Sequence, residues 1–176
     1  VFDYIDHLYD ITISKTMGRG IKIKNEELER ASSLLVEKDK LNNLAKEITT
    51  KEVMGLIMAL ALKSNAGDLH IEPTENNVKI RFRIDGVLHD IFELSKDMYL
   101  SMINEVKILI GIETNIKKAT SDGRFTIFTE KSKIDCRVSI ISGGLGETVV
   151  IRILSGGSEG LNIEKLGFEK YSLPAI

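Results

Sequence analysis

One cysteine, Cys136, stands among 176 residues, and there is no tryptophan. A lone thiol rules out a disulfide framework within the chain and points to a reducing compartment. Between Asp135 and Arg137, in a strand-like pattern, Cys136 reads as a small core-facing side chain ahead of a reactive one. His7, His70 and His89 are scattered, so no metal site is expected. The longest apolar run, "VMGLIMALAL", has about 10 residues, roughly half of what a bilayer requires. The opening residues do not read as a signal peptide. Charge of one sign is also lacking: the net charge is −2, which gives no case for nucleic acid or a membrane surface as partner. Any anion site must come from local arrangement. No G-x-x-x-x-G-K-[ST], G-x-S-x-G or H-E-x-x-H occurs, so no self-contained catalytic signature is present.

What is present suits one domain with a sound core: 43% of residues are hydrophobic and 28% charged. Residues 1–24, with "MGRGIKIKN", read as a connector or arm. From Asn25 to Leu44 apolar residues recur at interrupted helical spacing. Thr49 with Glu52 forms a capping box before a helix whose apolar face is Val53, Leu56, Ile57, Leu60 and Ala61, stopped at Asn65 or Gly67. In "VKIRFRIDGVLHDIFEL", Val78, Ile80, Phe82 and Ile84 alternate with polar residues, and Asp85-Gly86 suits a type I′ turn. The implied register sets Phe82 opposite His89, Arg81 opposite Asp90 and Ile80 opposite Ile91. Ser95 caps a second helix carrying Met98, Met102, Ile103, Val106 and Ile110 and ending at Gly111. A connector containing "SDGR" then leads to strands near 124–130, 134–141 and 148–154. "DLHIEP" (68–73) reads as an edge strand closed by Pro73, and "SGGLGE" (142–147) as a turn. The fold class is α+β, a mainly antiparallel sheet flanked by helices, PAS-like.

Six blocks occur in order: "AGDLHIEP" (66–73), "RFRIDGVL" (81–88), "SDGR" (121–124), "DCRVS" (135–139), "GETVVIRIL" (146–154) and "IEKLGF" (163–168). Together they resemble the second N-terminal domain of type II secretion and type IV pilus assembly ATPases, over about residues 47–176. The departures are Gly67 where a serine is common, Thr120-Ser121 where Pro-Gln is usual, and Ile163 at the head of the last block. None removes a charge. The resemblance divides the chain into an N-terminal helical or linker segment (1–46), the α+β domain (47–155), and a link into a C-terminal ATPase domain (156–176). The phosphate-cradling Walker loop is expected beyond Ile176.

The resemblance implies a homo-hexameric ring in which ATP and Mg²⁺ sit in the C-terminal ATPase domain, with none bound by this chain alone. Arginines of the N-terminal domain approach the phosphates, and the implied positions are Arg137 and Arg152, with Arg124 as a third. Ile163, Leu166 and Gly167 match a segment running beside the adenine. The implied partners are the C-terminal ATPase domains of the same and neighbouring subunits and an inner-membrane platform protein, at the cytoplasmic face of that membrane, with no nucleic acid. Guanidinium suits the task because its permanent charge and planar fork engage phosphate oxygens in pairs. The bland alternative for Arg152 is an ion pair with Glu147 or Asp135, and for Arg137 a solvated strand position. Arg81 and Arg83 read as decoration of a solvated or inter-domain face. A competing function is a PAS-like sensor holding a small ligand in an apolar core pocket.

Overall fold

The computed structural model describes residues 20–34, 49–114 and 120–154. Along them run β1 (Gly20–Lys22), α1 (Asn25–Leu34), α2 (Thr50–Lys63), β2 (Asp68–Pro73), β3 (Val78–Ile84), β4 (Val87–Leu94), α3 (Lys96–Ile110), β5 (Thr120–Phe128), β6 (Lys133–Gly143) and β7 (Gly146–Leu154). The strands form one sheet in the order β1-β5-β6-β7-β2-β3-β4. Every neighbouring pair is antiparallel except β1 with β5. The fold is α+β, as the element order implied.

Local chemistry accounts for the element ends. Glu52 N–H donates to the Thr49 hydroxyl while the Glu52 carboxylate accepts from Thr49 N–H at 2.7 Å, completing the capping box of α2. Asn65, at φ 53°, turns the chain out of that helix. Ser95 caps α3, and Gly111 ends it in the left-handed region at φ 75°. Asp85 and Gly86 both have positive φ, as a two-residue type I′ hairpin turn requires.

Four expectations are corrected. The segment "GIK" in the presumed connector is strand β1. It pairs with the edge of β5, and the following Ile23 is buried with Ala31 of α1 in the common core. The "SDGR" connector is itself strand, because β5 begins at Thr120. Pairing of β3 with β4 follows the expected register through Arg81 opposite Asp90, but Ile80 then faces Phe92 instead of Ile91. A bulge there resets the alternation so that Phe92 and Leu94 point into the core. Finally, β2 is an interior strand between β7 and β3, and Pro73 is tolerated because the ladder to β7 stops at Ile71. The boundary expected near residue 47 lies outside the described residues.

One face of the sheet is apolar and buried: Leu69, Ile71, Ile80, Phe82, Phe125, Val138, Val149 and Ile151 pack with α2 and α3. Each large side chain so buried contributes about 1.5–3 kcal/mol. Cys136 belongs to this face, and burial, with Asp135 adding to it, pushes its thiol up to about 12. It is a core residue. The other face carries the polar alternates.

Candidate functional site

Strand register assembles what the sequence scatters. Across the polar face, Arg124 of β5 stands opposite Arg137 of β6, Arg137 opposite Arg152 of β7, Arg152 opposite Asp68 of β2, and Asp68 opposite Arg83 of β3. The three arginines singled out in the sequence thus form one row. With strands about 4.8 Å apart, they span about 10 Å between the outer Cα atoms. Like charges directly opposite each other destabilise a sheet, so the row is held against its own repulsion.

Its members are anchored unequally. Arg124 and Arg137 are exposed and have no hydrogen bond or ion pair within the described residues. Arg152 donates from Nε to Asp68 Oδ1 at 2.8 Å, while its side chain remains 62% exposed. Neither acid expected for it serves. Glu147 pairs with Lys107 Nζ at 2.8 Å, and Asp135 accepts from the Thr126 hydroxyl at 2.9 Å. The internal partner is Asp68, 2% exposed, whose other oxygen is taken by Arg83. An anchor on Nε leaves the outer edge of the Arg152 guanidinium turned to the surface.

Asp68 and Arg83 were missed as members of the site. The usable signal was the alternation of Asp68, His70 and Glu72 with Leu69 and Ile71, which assigns Asp68 to the polar face. Arg81 fulfils its expected pairing, with Nε donating to Asp90 at 2.9 Å and a second bond to Glu72. That neighbouring patch is charge-balanced. A groove of about 450 Å³ opens beside the row, lined by Arg124, Thr126, Asp135, Arg137 and Leu154 among others. Among the described residues no group of His, Cys, Asp and Glu is suited to a metal ion, and none of their helices is long and apolar enough to cross a membrane. Ile163, Leu166 and Gly167 lie outside the described residues.

Burial drives the Asp68 carboxyl upward, yet hydrogen bonds from Arg152 and Arg83 outweigh it and hold it below its ordinary value of 3.8. A carboxylate lowered by folding adds stability above its unfolded value and loses it as pH falls through the folded one. Acid titration of unfolding is expected to show a loss of stability below about pH 4 that Asp68→Asn reduces; denaturant midpoints across that range measure it.

Gly67, where a serine is common in the resembling family, donates its N–H to Arg83 O and accepts from Ile153 N–H. A Cβ there would meet only ordinary contacts, the nearest at 3.9 Å, so the glycine reflects no steric demand.

Comparison with known proteins gives a consistent set. The family model described as "Type II/IV secretion system protein" matches residues 43–176. The type IV pilus assembly ATPase PilB of Myxococcus xanthus is 30% identical over 158 residues, covering 89% of this chain and 27% of that protein. A putative type II secretion system protein E of Escherichia coli is 35% identical over 138 residues, 77% of this chain and 28% of the relative. The chain therefore spans less than a third of the length of these relatives. Among solved structures, the Legionella pneumophila ATPase DotB aligns with a TM-score of 0.43 at 17% identity, over 60% of this chain and 30% of that one. The pilus retraction motor PilT with bound ADP gives 0.45 at 16%, over 66% and 33%.

Proposed function

The chain belongs to the type II/IV secretion system protein family, and from that premise we propose that it lends fixed positive charge to a nucleotide bound elsewhere in a secretion or pilus-assembly ATPase. The observation that carries this is the row of Arg124, Arg137 and Arg152, side by side on stiff strands with one internal carboxylate behind it. Arg137 and Arg152 approach the phosphates and Arg124 assists. Rigid strands hold such forks better than a loop would, and positioning is most of what phosphoryl transfer needs from a protein. Three guanidiniums suit phosphate oxygens and would repel Mg²⁺, so the metal travels with ATP in the C-terminal ATPase domain.

That domain, from the same and neighbouring subunits of a homo-hexamer, is the partner of the row. This α+β unit moves against it as a rigid body when nucleotide binds, passing the stroke to a platform protein at the cytoplasmic face of the inner membrane. Ile163, Leu166 and Gly167 run beside the adenine. The chain alone does not hydrolyse ATP. A relative named as a type IV pilus assembly ATPase, beside others named as type II secretion system protein E, supports the reading. A sensor would need its ligand inside the apolar core, whereas Arg124, Arg137 and Arg152 are exposed on the polar face.

The test is ATPase turnover of the full-length protein carrying R137A, R152A or R124A. The first two are expected to lose at least about tenfold, short of the ~10²–10³ that removing a lone preorganised donor costs, because the row shares the work. R124A loses less. Thermal unfolding of R137A should be unchanged or slightly raised, since a like-charge contact is relieved. Wild-type turnover in both R137A and R152A would withdraw the assignment.

A further inference from the structure

Asp68 is the one carboxylate in the row of arginines, and its setting is unusually constrained. It is 2% exposed, and its two oxygens are divided between two strands: Oδ1 accepts from Arg152 Nε at 2.8 Å, and Oδ2 accepts from Arg83. The preceding residue fixes it from both sides. Gly67 N–H donates to the backbone of Arg83, and Ile153 N–H donates to the backbone of Gly67, at 2.9 and 3.0 Å. Backbone and side chain thus clamp β3, β2 and β7 together at the same level of the sheet. The bond to Arg152 uses Nε, the inner donor of the guanidinium. A carboxylate engaging the outer edge would have neutralised the fork, whereas this geometry orients it and leaves the outer edge toward solvent, where the side chain is 62% exposed.

We propose that Asp68 is a positioning residue: held in turn by Arg83, it grips Arg152 by Nε and presents the outer guanidinium edge to a phosphate group of the nucleotide. This rests on the reading of the arginine row given above. Asp68 touches no nucleotide itself. Its effect travels through Arg152, whose long side chain would otherwise sample many rotamers and lose the benefit of its rigid strand. Lysine could not take this part, since an ammonium paired with Asp68 has no second edge to offer.

Turnover of the full-length protein is measured for D68N, R152A and the double variant, with thermal unfolding of each. D68N is expected to lower kcat about tenfold, within what a misplacement of order 1 Å costs, and to leave KM within about twofold. In the R152A background D68N should remove nothing further, because the residue through which it acts is gone. A D68N loss that persists undiminished beside R152A overturns the positioning role, and so does a folded D68N with wild-type kcat while R152A is impaired. If R152A itself turns over at the wild-type rate, the positioning role is overturned, whereas the reading of the arginine row falls only if R137A is also unimpaired. Should D68N fail to fold, R152K decides: the exposed site tolerates the change, the expected loss nearly equals that of R152A, and retention of more than half the wild-type rate overturns the proposal.

Discussion

Lys107→Ala should destabilise the protein by about 3–5 kcal/mol, the usual result of removing one partner from a buried ion pair. The Lys107 side chain is 4% exposed on α3, and its Nζ lies 2.8 Å from Glu147 Oε2 on β7. The Glu147 side chain is only 19% exposed, so alanine at 107 leaves a carboxylate with little water and no cation. The loss also loosens a joint between elements. The Tyr99 hydroxyl donates to the carbonyl oxygen of Glu147, so α3 meets the start of β7 at two points. Burial first, opposed by that hydrogen bond and reinforced by the Glu147 charge, pushes the Tyr99 hydroxyl up to about 12. The paired replacement K107M/E147Q should recover most of the stability, because a buried ion pair exchanged for neutral groups of similar volume is often near neutral. Denaturant unfolding of the three proteins measures both results.

Gly123→Ala is expected to cost about 3 kcal/mol, at the upper end of the range for overpacking a core. A Cβ at 123 would stand 2.5 Å from Ile110 Cβ, with Ile110 Cδ1 and Cγ1 at 2.9 and 3.0 Å. The nearest atom is bonded directly to the helix backbone, so no rotamer change in Ile110 clears it. The C-terminal end of α3 must move away from β5. A distinctive result follows: I110A should not rescue G123A, since alanine at 110 keeps the clashing Cβ. Thermal unfolding of G123A, I110A and the double variant tests this. A full rescue would mean that the outer atoms of Ile110, and not the approach of the helix, set the constraint. Arg124 is the next residue along β5, so the glycine also keeps one end of the arginine row at its level.

What the sequence discloses depends on how local the cause is. The capping box at Thr49, the turn at Asp85-Gly86 and the caps at Ser95 and Gly111 are decided within four residues, and all are present as read. The β3–β4 register fails only beyond Asp90, where Phe92 and Leu94 need the core face and the ladder bulges to give it to them. That need comes from helices elsewhere in the chain. Strand β1 has three residues, too few for a period, and exists because β5 would otherwise present a bare edge. The interior position of β2 depends on β7, some 80 residues away. The candidate site follows the same rule. Arg124, Arg137 and Arg152 could each be singled out from its own block, but their alignment and the grip of Asp68 arise from pairings that no local pattern encodes.

Charge in this protein is organised by distance. Overall it carries two net negative charges, and the arginine row is bordered by Asp122 and Asp135, each bonded to a hydroxyl, of Ser139 and Thr126 respectively. Those carboxylates offset part of the row's charge, and salt screens the remainder beyond a Debye length, about 10 Å at 0.1 M. A free polyanion diffusing past at that distance therefore feels a weakened pull. Attraction becomes strong only once an anion has been brought to the strands themselves, so the row favours an anion delivered by a docked neighbour over one arriving from solution.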